Sequence, residues 1–468
     1  MKSKSIIHFA VGLILSAIVN VITLPIMAWL YPKEIIGKLA MLNVAVAFSV
    51  TLFTLGLDQA FVREYHESKN KIKVFFEAIL PGFILLFATI LTVNFLDENI
   101  ISNIIFTENS RQLSLIVSAM IIVSYLNRYL SLIFRMQEKG IIFSLSQALP
   151  KLLFLFLVVV LFIFHYDSLE LLMLSQAASV FLITIASIYF AKEFFFTIPK
   201  IQKNNIIYML KYSLPLLIGA MSYWGLSTID RIYIAKFSTY SELAVFSIAM
   251  SFAGAANVIQ SIFSTVWVPT VYKWVNEIDS VSDCQEKIES VKNIVSYISF
   301  LVISITAVFS WLLLYFLPND YSDVVYIIPS CMICALYYTI SETTVVGLSI
   351  VRKTMYSMIS SLSAFLVNCI ANLFMVPILG AKGAAISTSF SFLIFLILRT
   401  EFSSFHWLKI KRVRLYCNST GCLLMTTLFC IYGKGNQELF IFGWLVFFGI
   451  INASYFSVLK TAYVNFKL

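Results

Sequence analysis

Long apolar runs alternate with short polar gaps along the whole chain. In about fourteen places the run is long enough, at roughly 18 residues or more, to cross the apolar part of a bilayer as a helix. This pattern predicts an all-α integral membrane protein. The predicted spans are 6–29, 39–62, 75–96, 113–134, 148–165, 169–190, 213–235, 243–267, 293–316, 324–348, 356–379, 383–399, 415–432 and 439–459.

The positive charges divide unevenly between two sets of gaps. Of the 33 Lys and Arg residues, 24 fall in the N-terminal segment or in the gaps that follow even-numbered spans. This count includes Arg399, the last residue of the twelfth span, with the gap that follows it. The other gaps hold six, and three (Arg128, Lys151 and Arg231) lie inside spans. Because positively charged loops stay in the cytoplasm, we expect a multi-pass protein of an inner-type (cytoplasmic) membrane with both termini cytoplasmic.

The composition narrows the class of protein further. Apolar residues make up 60% of the chain and charged residues 12%, with a mean hydropathy of +0.90, which excludes a soluble domain. The net charge of +9 belongs to the predicted cytoplasmic gaps, so it indicates contact with membrane lipids and not with nucleic acid. Cys331 and Cys334 have zinc-site spacing but lack a second pair. No nucleophile–base pattern occurs, so we expect no metal, no cofactor and no enzyme activity.

A weak internal repeat divides the chain. With a shift of 207 residues, the gap at 34–41 falls on 241–248, and Tyr65 falls on Tyr272. Six spans separate the equivalents, so both copies should have the same orientation, as in transporters with parallel repeats. We predict two six-helix bundles in a parallel pseudo-repeat, joined by a cytoplasmic linker and followed by a C-terminal helical hairpin. The predicted boundaries are 1–191, 192–212, 213–400 and 401–468.

Basic side chains within or at the ends of spans are costly and therefore mark candidate functional positions. Four belong to the cytoplasmic half of the first bundle, where they would attract an anionic substrate, and a fifth lies in the seventh span. They are Arg63, Arg128, Arg135, Lys151 and Arg231. The alternative for Arg63, Arg135 and Lys151 is that they extend to the membrane surface and only set topology. Arg128 is about two helical turns inside its span, so we favour a position facing a cavity.

Three acidic residues also fall within spans. Asp58 and Glu342 could titrate if desolvated, as proton-coupled carriers require, or could bond a neighbouring helix. Asp230 precedes Arg231, and adjacent residues on a helix point about 100° apart, so these two should not pair well. Each acid is therefore a candidate for ion coupling or for a structural contact.

Five segments, taken in order, resemble those of a known transporter family. They are 56–65 (GLDQAFVREY), 134–139 (FRMQEK), 213–215 (SLP), 227–234 (STIDRIYI) and 379–387 (LGAKGAAIS). The family is the Wzx-type O-antigen transporters, or polysaccharide-export flippases, which share a superfamily with multidrug exporters and lipid II flippases. The resemblance covers almost the whole chain.

The resemblance implies a substrate and a direction of transport. The protein would move an undecaprenyl-pyrophosphate-linked oligosaccharide, an O-antigen or capsule repeat unit, from the cytoplasmic to the periplasmic leaflet by alternating access. Arg63, Arg128, Arg135 and Arg231 match positions expected to meet the pyrophosphate. Membrane lipids, a glycan polymerase and a chain-length regulator are the implied partners. Whether protons (H+), sodium (Na+) or neither drives transport stays open.

Sugars would need a polar lumen, and polar residues within spans are the candidates to line it. They are Asn20, Asn127, Asn257, Gln260, Asn368 and Asn372. Tyr223 and Trp224 could stack on sugar rings, although packing or aromatic belts at the membrane surface explain them as well.

Three other functions compete with glycan flipping. A lipid II flippase would suit the same basic residues. A multidrug exporter of the same fold would want acidic residues to bind cations, whereas the deep charges here lean basic. An integral-membrane glycan polymerase would need a large polar outer loop, but the longest outer gap, 97–112, is short and has few acid–base groups.

Overall fold

The computed structural model describes residues 3–196, 199–277 and 280–466, which form sixteen α-helices. These are α1 (Ser3–Leu30), α2 (Lys33–Phe53), α3 (Leu57–Glu67), α4 (Lys71–Leu96), α5 (Ile100–Phe106), α6 (Arg111–Met136), α7 (Gly140–Ile163), α8 (Leu169–Phe190), α9 (Lys203–Phe237), α10 (Tyr240–Glu277), α11 (Val281–Phe309), α12 (Val324–Ile350), α13 (Met355–Leu379), α14 (Ala381–His406), α15 (Val413–Tyr432) and α16 (Gln437–Phe466). Short 3-10 helices lie at Lys192–Phe194, Ser310–Tyr315 and Asn319–Tyr321.

These helices confirm the predicted all-α membrane architecture. Thirteen helices in the described part of the chain are long and apolar enough to cross a membrane, and Ile14–Leu30 of α1 is a shorter apolar segment. The predicted spans match the helices in order, with the exception of the second. In lipid, each helix satisfies its own backbone hydrogen bonds, which is why apolar run length predicts these elements well.

The second predicted span, 39–62, is wrong as a continuous helix. It breaks after α2, where Leu55 and Gly56 have φ angles of 52° and 69°, in the left-handed region. A Cβ atom on Gly56 would come within 2.5 Å of the carbonyl oxygen of Ser213 in α9, so glycine permits both the turn and the close approach. Asp58 consequently lies in the first turn of α3 and not in the middle of a span.

The second half of the predicted linker is part of a long helix. Within 192–212 the chain forms a short 3-10 helix, and α9 then begins at Lys203 and continues to Phe237. The chain divides into two compact units, Met1–Trp224 (unit 1) and Gly225–Leu468 (unit 2). The division falls within α9, whereas the sequence places it in a linker. The parallel repeat of the two bundles stays a prediction.

Short polar side chains begin several helices at the gaps between apolar runs. The side chain of Asn70 accepts a hydrogen bond from the N–H of Lys73 at 3.0 Å, at the start of α4. Ser110 does the same for the N–H of Leu113 at 3.3 Å, at the start of α6. Such caps satisfy N–H groups that the first turn of a helix leaves free, so the gaps help to fix where helices begin.

Small residues allow the helices of each unit to approach closely. In unit 1, the N–H of Gly12 in α1 donates to Oγ of Ser144 in α7 at 3.2 Å. In unit 2, a Cβ atom on Gly383 of α14 would come within 2.3 Å of the carbonyl oxygen of Met375 in α13. Because lipid tails are as apolar as the helices, such close packing is a main source of helix association in membranes.

The helix α12 is the centre of unit 2. It packs against α10, α11, α14 and α15. Of its most apolar stretch 89% is buried, compared with 22% for the neighbouring α13. The predicted C-terminal hairpin consists of α15 and α16, and α16 packs along α11. Polar side chains on α12 are therefore buried among helices and away from lipid.

Candidate functional site

The first candidate site lies in unit 1, at the break between α2 and α3. The side chain of Asp58 is only 9% exposed, and its Oδ1 accepts the N–H of Gln59 at 2.9 Å. Its Oδ2 accepts a hydrogen bond from Nη2 of Arg128 in α6 at 2.7 Å. The Arg128 side chain is 45% exposed. The guanidinium therefore binds the carboxylate at one point and remains accessible elsewhere.

Two tyrosines of α6 bind carbonyl groups of α4 and hold the two helices together. These carbonyls lie close to Pro81, which has no N–H to donate within α4. The hydroxyl of Tyr125 donates to the carbonyl of Ile79 at 2.8 Å, and that of Tyr129 donates to the carbonyl of Ala78 at 3.1 Å. Both tyrosines are fully buried. These bonds fix the register of α6 against α4, and with it the arginine between the two tyrosines.

The other predicted basic residues of unit 1 have different surroundings. Arg63 is exposed, and its guanidinium carbon lies 4.5 Å from the ring centre of Tyr212. Arg135 is exposed in the last turn of α6. Lys151 is half-buried in α7, and its Nζ donates to a carbonyl of α1 at 3.5 Å. Within the described ranges, Arg128 is the one among these four that forms an ion pair.

Asp230 is the centre of a buried polar cluster in unit 2. It is 1% exposed, and its Oδ1 accepts hydrogen bonds from Nδ2 of Asn372 at 2.7 Å and of Asn368 at 3.2 Å. The hydroxyl of Thr388 lies beside the carboxylate. Among the described residues, Oδ2 of Asp230 and Oδ1 of Asn372 have no hydrogen-bond partner. Buried polar atoms are normally paired, so the carboxylate oxygen of Asp230 could accept a proton, and either oxygen could bind a cation.

The prediction that two asparagines line a lumen is wrong, because both belong to the cluster around Asp230. The sequence predicts Asn368 and Asn372 in the lumen, but both are 0% exposed because they bond to Asp230. Arg231, next to Asp230, is half-buried. The other candidates for the lumen or for sugar stacking are exposed or half-buried: Asn20, Asn127, Asn257, Gln260, Tyr223 and Trp224.

A buried ion pair in unit 2 joins a predicted acid to an arginine that the sequence analysis missed. Nη1 of Arg399 donates to Oε1 of Glu342 at 2.8 Å and to Oγ of Ser341 at 3.0 Å, and the two charged side chains are 9% and 10% exposed. The guanidinium carbon lies 4.4 Å from the ring centre of Phe395 and 5.0 Å from that of Tyr338. Counting Arg399 as a loop charge is wrong, since α14 continues well beyond it.

Glu77 is a second buried residue that sequence analysis missed. It lies in α4 and is 1% exposed. Its Oε1 accepts the N–H of Gln202 at 2.9 Å, and its Oε2 accepts a hydrogen bond from Nδ2 of Asn205 at 3.4 Å. Because a helix N-terminus favours a carboxylate, Glu77 fastens the start of α9 to α4. Its position inside the third predicted span is the signal that could have revealed it.

The cysteines belong mainly to the apolar core. All seven are free thiols and five are buried, including Cys331 and Cys334 in α12. In the described part of the chain, no group of three or more His, Cys, Asp or Glu residues could hold a metal ion.

Solved transporters share this fold. Lipid II flippase MurJ in an inward closed conformation gives a TM-score of 0.70 over 96% of this chain and 100% of that chain, at 14% identity. An outward-facing multidrug resistance MATE family transporter of the MOP superfamily gives 0.53 over 86% and 95%, at 11% identity. A MOP superfamily transporter from Pyrococcus furiosus gives 0.52 over 86% and 95%, at 12% identity. The fold is therefore that of the MOP transporters.

The comparison of the sequence with family models identifies the family to which the chain belongs. Residues 3–275 match the model of the family described as polysaccharide biosynthesis protein, and the chain belongs to that family. No curated protein matches the sequence. Family and fold together make the chain a multi-pass membrane protein of the polysaccharide biosynthesis family with the fold of these transporters.

Proposed function

We propose that this transporter moves an undecaprenyl-pyrophosphate-linked oligosaccharide, an O-antigen or capsule repeat unit, from the cytoplasmic to the periplasmic leaflet by alternating access. The observation that carries the proposal is Arg128, a half-exposed cation in a membrane helix with a single acidic contact. Membership of the polysaccharide biosynthesis family supports a glycan as the cargo. The resemblance of five segments to Wzx-type flippases supports a lipid-linked one.

A guanidinium suits the phosphate end of such a lipid. It is planar, stays protonated, and can bind two phosphate oxygens at once. The Asp58 carboxylate lies 2.7 Å from the Arg128 guanidinium and neutralises its charge. This lowers the energetic cost of placing an arginine within the membrane. The remaining donors of the guanidinium can bind a pyrophosphate. Arg63, Arg135, Lys151 and Arg231 are the candidates for further phosphate contacts.

The loop charges support an orientation in the bacterial inner membrane. With most Lys and Arg residues on one set of gaps, both termini would lie in the cytoplasm. Arg63 and Arg135, which lie near the ends of α3 and α6, would then face the leaflet in which the lipid-linked glycan is assembled.

The cluster around Asp230 is the best candidate for coupling to an ion. Carboxylate and amide oxygens are ligands that hard cations prefer. Two such oxygens lack a partner there among the described residues. A sodium ion or a proton at this place would satisfy the carboxylate oxygen that lacks a hydrogen bond, which gives the cluster a physical reason to respond to either gradient. Glu342 is less suited to this role because Arg399 already neutralises it.

The proposal is tested in a host strain deleted for this gene. We expect loss of polymerised surface glycan, with lipid-linked repeat units trapped in the cytoplasmic leaflet, and restoration by the native gene. Arg128→Ala should fail to restore export while still inserting in the membrane, and Arg128→Lys should restore it in part. The matched control is Arg111→Ala at the other end of α6, where the arginine is exposed and 3.2 Å from Glu98. This control should export normally.

Other outcomes would point to the competing functions. Repeat units found in the periplasmic leaflet but left unpolymerised would assign a later step, as a polymerase requires. Accumulation of lipid II with a normal glycan profile would indicate a lipid II flippase, and an unchanged profile of both lipids would favour a multidrug exporter. Full export by Arg128→Ala would remove that residue from the mechanism.

A further inference from the structure

The two partners of the ion pair in unit 1 are held with unequal firmness. The Asp58 side chain is 9% exposed and lies in the first turn of α3, where the helix N-terminus stabilises a carboxylate. Its second oxygen is occupied by the N–H of Gln59. Arg128, in contrast, is 45% exposed. The carboxylate is therefore a fixed point, and the guanidinium is the partner that can change its contacts.

Arg128 leaves most of its hydrogen-bonding capacity unused. A guanidinium carries five N–H donors, and among the described residues Arg128 uses one nitrogen, Nη2, to bind Asp58. A pyrophosphate can accept two parallel N–H bonds and, with both of its phosphates ionised, carries more charge than a single carboxylate. A lipid-linked pyrophosphate at this place would therefore displace the carboxylate from the guanidinium, in part or completely.

The buried ion pair of unit 2 is enclosed more completely than the Asp58–Arg128 pair of unit 1. Arg399 and Glu342 are both at least nine-tenths buried. The Arg399 guanidinium has a further bond to Ser341 and lies against two aromatic rings. Arg128 has one bond and is nearly half-exposed. A pair that only joined α3 to α6 would gain nothing from an accessible guanidinium.

We propose that Asp58 is a positioning residue that competes with the substrate for Arg128. Between substrates it neutralises and orients the guanidinium; when the pyrophosphate binds, Arg128 transfers to it, and Asp58 recovers Arg128 as the lipid leaves. The carboxylate thus weakens binding and speeds release. This inference rests on the proposed function, because it requires that Arg128 binds a lipid pyrophosphate.

The test compares binding with flipping for Asp58→Asn in the purified full chain. Binding of undecaprenyl pyrophosphate is measured by native mass spectrometry in nanodiscs, with undecaprenol as the phosphate-free control. Flipping of the lipid-linked oligosaccharide is measured in proteoliposomes. We expect Asp58→Asn to bind at least fivefold more tightly and to flip at least fivefold more slowly than the native protein. Asp58→Glu, which keeps the charge, should stay within about twofold of native in both assays.

Two controls isolate the role of the pair. Glu98→Gln removes the acid of an exposed ion pair in the same unit and should change neither binding nor flipping. Asp58→Asn combined with Arg128→Ala should bind as weakly as Arg128→Ala alone, since the competitor has no effect once the cation is absent. Asp58→Ser serves as a second neutral variant should Asp58→Asn fail to fold.

The outcomes separate this inference from the proposed function. Folded neutral variants that bind undecaprenyl pyrophosphate as the native protein does, or more weakly, would overturn the role of Asp58 as a competitor while leaving the flippase proposal intact. A native protein that neither binds undecaprenyl pyrophosphate above undecaprenol nor flips the lipid-linked oligosaccharide would overturn both.

Discussion

Removing one partner of the Glu342–Arg399 pair should destabilise the protein more than removing both charges. The two charged atoms are 2.8 Å apart, and the side chains are 9% and 10% exposed, so neither charge can reach water when its partner is lost. Loss of one partner of such a buried pair costs about 3–5 kcal/mol, whereas neutral replacement of both is often close to neutral. We expect about 3 kcal/mol for Glu342→Gln and for Arg399→Met, and about 1 kcal/mol for the double variant.

The free energy of unfolding of the four proteins can be measured by reversible denaturation in mixed micelles. The double variant should be more stable than either single variant, because Arg399→Met leaves an apolar side chain against Phe395 and removes the cation that Glu342→Gln would strand. If the double variant loses as much free energy of unfolding as the two single variants combined, the coupling between Glu342 and Arg399 is refuted. A loss below about 1 kcal/mol for Arg399→Met would refute the burial of the pair.

Three further predictions concern other buried positions. Glu77→Gln should weaken the attachment of α9 by about 1–2 kcal/mol, measured as roughly tenfold faster amide exchange over its first turn. Gly82→Ala should destabilise by about 1–3 kcal/mol in a thermal melt, because the new Cβ would come within 2.0 Å of the Phe53 carbonyl oxygen; Gly254→Ala, which meets nothing within 4 Å, should not destabilise. Asp230→Asn should abolish any dependence of flipping on a proton or sodium gradient in proteoliposomes, and a retained dependence would exclude this carboxylate.

Much of the fold could be predicted from the sequence because lipid permits few alternatives to a helix of sufficient apolar length. The break at Leu55 and Gly56 could not, since it lies within a mainly apolar run and the close approach to Ser213 that accompanies it is distant in sequence. The start of α9 and the end of α14 were also missed. Both helices extend into polar segments, where contacts such as that of Glu77 with Gln202 determine the boundary instead of apolarity.

For the candidate site, the sequence marks charged residues within spans but does not identify their partners. Charge within an apolar run is costly, which marks Asp58, Arg128, Asp230 and Glu342 without any structure. Pairing depends on how each helix is rotated against its neighbours, and one sequence does not contain that information. The same limit explains Asn368, whose polarity suggested a lumen position while packing places it against the buried Asp230 carboxylate.

Flipping by the purified protein is the most direct measurement of the proposed activity. The full chain is reconstituted into liposomes that contain an undecaprenyl-pyrophosphate-linked oligosaccharide, and a membrane-impermeant glycosidase reports the fraction of glycan exposed on each side. We predict that the native protein and Arg111→Ala equilibrate the glycan between leaflets, whereas Arg128→Ala and protein-free liposomes do not. A native protein that leaves the glycan distribution equal to that of protein-free liposomes would contradict the flippase function.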